Sequence, residues 1–499
     1  MSLAATGQSA LSGTRTSPWS AAHGRSSAFD GLATFTPMWA IAMTFSLVST
    51  PVALGGYRGW FLLAAGWIAL GVIVLTLIRP RATLLLGVIA GSLALQYIQQ
   101  LPVASNNKTI AFVMNGAILA VLAHTYLGGA RGPALRDAVY ERLRVVARAL
   151  LAVMYVFGIF HKINTDFLDP NVSCAVALYT PLAQPFGLGD SLYGKYLAIA
   201  ATFAVEAVCI VSLYWRRFFA VGLIGGLVFH YVIPISAYSW YMDFSSLAFA
   251  LYVLSIPREV AESFSRVIAA GFRPLRRLLG EPFGALAVVV SGAALLTLAV
   301  AVVMALSLSY PARPSMMLYH SVWVLVWPVV GGIVMVALTH AALDHLPYRG
   351  PPAPRQPLWL YAFPAVLFLT CLSPYVGLKT ESSIAMFSNL HTEGGVTNHL
   401  LFDKPPYLFD YQSDVVAVLD SSHPRLQEFA RKGEHMVMFE LRAYLRKRPG
   451  EWVTYRRGDV VHERVTGEAL AAGPRPGLLE RKFLIFKPVD YSRPKVCTH

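Results

Sequence analysis

Lys162 stands at the end of an apolar run, YVFGIFHKINTDFLDP, with His161 just before it and Asp166 four residues on. Burial penalises the charged form of a lysine, so an amine near a low-dielectric interior becomes available as a neutral base or nucleophile. Asp166 would oppose that by stabilising the ammonium. Two further runs place ionisable groups among apolar residues. Glu206 lies mid-run in LYGKYLAIAATFAVEAVCIVSLYW, and His230 lies in FHYVIPISAYSWYMDFSS. Together Lys162, His161, His230 and Glu206 could form an acid/base site. The competing reading makes Lys162 and Asp166 an ion pair that fixes helix depth, with the histidines as packing residues.

Both readings need an element that holds these groups. A helix stopped by Pro170 would carry Gly158, Lys162 and Asp166 at i, i+4 and i+8 on one face. The glycine then leaves room under the lysine. His161 lies about 100° round that helix, with Asn164 and Thr165 adjoining. In the middle of its own run, Glu206 should face a helix bundle's interior, neutral or paired.

The chain as a whole is too apolar for a soluble globular protein: of 499 residues 56% are hydrophobic and only 14% charged. Apolar runs of the length that about 30 Å of hydrocarbon requires recur from Thr34 to Leu378. They fall at about 34–54, 59–78, 82–103, 109–127, 150–168, 192–215, 218–236, 240–256, 284–308, 317–340 and 357–378. The expected fold is an all-α polytopic membrane protein of about eleven transmembrane helices, followed by a small C-terminal β-containing (α+β) domain.

A net charge of +14 reads here as orientation rather than nucleic-acid binding. With the N-terminus in the cytoplasm, 18 arginines fall on the inner side, against Arg58, Lys108, Lys195 and Arg313 in the opposite loops. Residues 1–33, rich in Ser, Ala, Gly and Thr, then form a mobile cytoplasmic tail. Residues 34–378 form the membrane domain and 379–499 an extracytoplasmic domain, in a bacterial inner or plasma membrane. The stretch ARGPALRDAVYERLRVVARALL is either a helix lying on anionic lipid or a basic loop that only sets topology. Tyr238, Trp240 and Tyr241 have the composition of an interfacial aromatic belt. Cys174 and Cys497 fall on the predicted outer side, where they are either bridged or two separate thiols.

The last 121 residues carry 18 Lys and Arg against 15 Asp and Glu. Short runs such as VVAVLD, HMVMFELRAYL, EWVTYRR, DVVHERV and KFLIFKP suit strands and a short helix. Before them SPYVGLKTESSIAMFSNLHTEGGVTNHLL reads as a polar segment above the membrane that could cover a cavity. His391 and His399 do not have the spacing of a metal motif, and HTEGGVTNH reads as a solvated loop. No metal is expected.

FGIFHKINTDFLDPNVSCA, followed two spans later by FHYVIPISAYSWYMDFSSLAFA, resembles the membrane domain of vitamin K-dependent gamma-glutamyl carboxylases and their bacterial relatives, the HTTM (horizontally transferred transmembrane) family. The tail segment SPYVGLKTESSIAMFSNLHTEGG resembles the region after the spans in bacterial members. The resemblance covers about residues 30–310. By it, the base that deprotonates reduced vitamin K or menaquinol falls on Lys162, the downstream aspartate on Asp166 and a later histidine on His230. His161 stands where the carboxylases carry a first lysine, and Asn164 where they carry a first aspartate. The implied reaction converts the quinol and oxygen to an epoxide through a strongly basic alkoxide. That alkoxide removes a gamma proton from a peptide glutamate on the outer side, and carbon dioxide adds. Glu206, Tyr155, Trp240 and Tyr241 are the residues expected around the quinol. The alternative is a family member that binds quinone or lipid, or serves transport or immunity, without carboxylating.

Overall fold

The computed structural model describes residues 29–48, 60–236, 241–271, 314–346, 348, 355–473 and 475–497. The expected span at 284–308, nearly all of the N-terminal tail, and Trp240 lie outside them.

The apolar runs fold as helices because a helix satisfies its own backbone hydrogen bonds without help from water. In chain order they are α1 (Gly31–Val48), α2 (Trp60–Ile78), α3 (Thr83–Gln100), α4 (Asn106–Leu127), α5 (Gly132–Lys162), α6 (Cys174–Ala183), α7 (Leu192–Tyr214), α8 (Phe219–Ser236), α9 (Met242–Ser255), α10 (Arg258–Gly271), α11 (Pro314–Leu343) and α12 (Ala362–Leu372). Among the described residues five helical segments are long and apolar enough to cross a membrane: α3, α4, α5, α7 and Val326–Leu343 of α11. Five more apolar stretches are shorter.

Helix α5 is the hub, packed against α4, α7, α9 and α12. Its 31 residues span about 46 Å, and they correct two expectations. The basic stretch from Arg131 is neither a surface helix nor a loop, because it runs without a break into the apolar half. Arg144 is buried there, donating to Glu141 at 2.8 Å and to the Ile256 carbonyl at 2.9 Å. Arg258 bonds Asp137 and Glu141 from the start of α10. The helix also stops at Lys162 rather than near Pro170. A single turn, Thr165–Leu168, follows, with Asn164 as its cap. Pro234 sits in the last turn of α8. On α11, Gly332 lies against Tyr231 of α8, whose hydroxyl donates to the Pro328 carbonyl at 3.0 Å.

The C-terminal region holds a four-stranded antiparallel sheet in the order β2-β1-β3-β4, formed by β1 (Val415–Ser421), β2 (His435–Val437), β3 (Trp452–Arg457) and β4 (Val460–Thr466). Helices α13 (Pro424–Lys432) and α14 (Met438–Leu445) complete its core of Val416, Val418, Leu426, Leu441, Leu445 and Val453. The run KFLIFKP is not a strand. It leaves a short helix, α15 (Leu478–Phe483), and continues as extended chain that bonds to Thr380 and Glu381.

Residues 391–399 are not the solvated loop expected, since Thr392, Glu393, Asn398 and His399 are buried. Ser383 and Ser388 are buried too, and residues 379–400 form a cap over the end of α5. The Leu400 N–H donates to the Ile163 carbonyl, and the Thr165 N–H to the Asn398 carbonyl. Cys174 and Cys497 are joined by a disulfide across 323 residues of sequence.

Candidate active site

Lys162 is the last helical residue of α5 and is 6% exposed. Its partner is not Asp166. The Lys162 Nζ donates to Glu206 Oε1 at 2.5 Å, reaching across to the middle of α7, where Glu206 is 5% exposed. Gly158, one turn below, lets the carboxylate in: a Cβ there would lie 3.3 Å from Oε1 and 3.4 Å from Oε2. The room under the lysine is therefore filled by Glu206. Oε2, the second carboxylate oxygen, is buried and has no hydrogen-bond partner.

Two turns back along α5, on the same face, Tyr155 joins a second polar group. Its hydroxyl lies 2.8 Å from His230 Nε2 on α8 and 2.6 Å from the Tyr252 hydroxyl on α9. His230 is 1% exposed and its Nδ1 has no partner. It lies within electrostatic range of Lys162. Cys209, one turn after Glu206 on α7, adjoins Tyr155 and Tyr252. Four helices thus converge on a buried string of polar groups: Lys162, Glu206, Cys209, Tyr155, Tyr252 and His230. The bundle brings both groups together, with an unpartnered oxygen in one and an unpartnered nitrogen in the other.

The remaining expected site residues face elsewhere. His161 points away from Lys162 into the cap, with Nδ1 2.8 Å from the Tyr375 hydroxyl and Nε2 3.2 Å from the Ser383 carbonyl. Both ring nitrogens are engaged, so the ring fastens the helix end to the cap. Asp166 lies past the helix end. One oxygen accepts from the Thr165 hydroxyl, and the other from Asn398 Nδ2 at 2.8 Å and the Lys495 N–H at 2.7 Å. Asn164 is fully buried; its Nδ2 donates to the His161 and Ser388 carbonyls. Tyr241, with a left-handed φ of 71°, sets its ring edge-on against Phe387 of the cap, 4.5 Å between centroids.

Sequence reasoning missed Tyr252, Cys209, Asn398 and Lys495. Cys209 carried a signal, being at i+3 from Glu206 and so on the same face of α7. Asn398 and Lys495 had none, because their role depends on how the cap folds back. Burial pushes the Lys495 ammonium below its ordinary range, and that of Lys379, over the Phe483 ring, down to about 8.

Among the described residues no group of three or more His, Cys, Asp or Glu side chains could hold a metal ion. No protein-family model matches the chain, and no curated protein or solved structure matches it.

Proposed function

We propose that the chain is an integral membrane protein of HTTM type with about eleven spans, its N-terminus cytoplasmic and its cap extracytoplasmic. We assign it a quinol-dependent, gamma-carboxylase-like reaction on a peptide glutamate. The apolar helices, the arginine distribution and the Cys174–Cys497 bridge support the topology, since disulfides persist outside the cytoplasm. One observation carries the chemistry: the buried Lys162–Glu206 pair has an unpartnered carboxylate oxygen, and His230, within electrostatic range of Lys162, has an unpartnered ring nitrogen. An unmade hydrogen bond at a buried polar atom is costly, and hydroxyl groups of a quinol fit both atoms.

Glu206 and His230 would hold the quinol's oxygens, with Tyr155 fixing the His230 ring. When bound, the quinol supplies with oxygen the strong base that a gamma proton requires. The Lys162–Glu206 pair takes the quinol's proton, and Lys162 keeps a positive charge beside the oxygen that loses it. The apolar helices exclude water that would quench the reaction. Purified protein given reduced vitamin K or menaquinol under oxygen should form epoxide, and Lys162→Ala should abolish it. Wild-type protein that forms none overturns the reading.

The commitment of His161 and Asp166 to the cap favours a second reading, a quinone- or lipid-binding membrane protein without turnover. Here mass spectrometry should find a specific quinone or lipid co-purifying with a protein that makes no epoxide.

A further inference from the structure

The geometry points to Glu206, not Lys162, as the group that receives the proton, with Lys162 as the cation that supports it. This rests on the quinol reading above and decides which member of the pair does what.

An ammonium has three N–H donors and no lone pair, and at 2.5 Å from Oε1 the Lys162 nitrogen is engaged as a donor. For it to act as base it must first lose a proton, and the nearest acceptor is Glu206 itself. The carboxylate needs no such preparation. Oε1 takes the lysine's hydrogen bond while Oε2, on the same 5% exposed residue, has no donor. Gly158 leaves the ledge on which both oxygens rest, Oε2 being 3.4 Å from where a Cβ would be.

The other titratable groups around Glu206 do not compete for the role. Cys209 on α7 and Tyr155 on α5 and Tyr252 on α9 adjoin one another. On α8, His230 has Nε2 at the Tyr155 hydroxyl. His161 is turned into the cap.

The step balances within the site. The ligand's O–H bond breaks and an Oε2–H bond forms. The electron pair stays on the ligand oxygen as a negative charge. The Lys162 ammonium, whose carboxylate partner has just been neutralised, becomes the counter-ion of that oxygen.

The test uses purified full-length protein under argon with 1,4-dihydroxynaphthalene as the probe. Ultraviolet absorbance reports the bound monoanion, and difference infrared spectroscopy reports a protonated carboxyl group. Wild-type protein should show the anion together with a new protonated-carboxyl band. Glu206→Gln, which keeps the shape and the hydrogen bond from Lys162, should lose the band and reduce the bound anion about 100-fold. Lys162→Arg keeps the charge but cannot act as a base, and should retain most of the anion. The infrared band needs no lysine variant, so a misfolded Lys162→Arg does not remove the test. An undiminished anion in Glu206→Gln, or an anion in wild type without a carboxyl band, overturns the assignment and leaves the quinol reading standing. No bound probe in wild type overturns both.

Discussion

At position 158 the absent side chain is what admits Glu206. In Gly158→Ala the new Cβ would press on both carboxylate oxygens at 3.3 and 3.4 Å, and the carboxylate, held by Lys162, would have to give by a few tenths of an ångström. The expected cost is about 1–3 kcal/mol, read as a lowered melting temperature in detergent. A variant as stable as wild type would show that α5 and α7 separate more easily than their packing implies. Asn164 sits at the other end of the motif. Its Oδ1 accepts from the Phe167 N–H at 2.7 Å while its amide holds the His161 and Ser388 carbonyls. Asn164→Ala should cost about 2 kcal/mol and expose the 163–174 loop to protease; an unchanged digestion pattern would count against its role as a clasp. That the lysine at 162 needed a reason was legible in the sequence. Its partner was not, because the pairing depends on where α5 stops. Asn164 caps the next turn and so ends the helix there, carrying Asp166 off the face that a longer helix would have given it.

The cap is held together by elements that individually read as strands and a helix. Period-two runs gave β1, β3 and β4 in the right places. The folding of residues 379–400 under those strands was not readable, since its backbone is satisfied by α5 and its loop rather than by a regular ladder. Glu440 on α14 tests how tightly this region closes. Burial raises its carboxyl to about 7, opposed by the Phe486 N–H it accepts at 3.1 Å. Because the folded value exceeds the unfolded one, the folded state binds the extra proton. The stabilising contribution is complete below the unfolded value and is lost as pH rises through about 7. The melting temperature of wild type should therefore fall between about pH 5 and pH 8, by the equivalent of about 3 kcal/mol. In Glu440→Gln that slope should disappear; a variant that keeps it places the pH dependence elsewhere.

Across the whole molecule, membrane helices and cap are tied at one corner. The Cys174 N–H donates to Asn389 Oδ1, and the Asn389 amide holds the Val172 and Lys495 carbonyls. The disulfide then closes the same corner covalently. Cys497→Ser should lower stability by about 2–4 kcal/mol and release the 485–497 segment to protease. Unchanged stability and digestion would mean that the hydrogen bonds alone hold the corner. The sequence left this bridge open between two readings, because connectivity between residues so far apart is fixed by the fold and not by spacing.

The same corner sets an order in time. The loop after α5 is made early, yet two of its fastenings, the Lys495 N–H on Asp166 and the bond from Cys174 to Cys497, come from residues translated more than 320 positions later. Until those residues emerge, Cys174 is an unpaired thiol and Asp166 lacks one of its donors. The helices can insert and α5 can meet α7, but the motif reaches its final form only after Cys497 has been made. A chain interrupted before Cys497 would carry the Lys162–Glu206 pair beneath an unlatched cap, recognisable to a quality-control system by its free thiol.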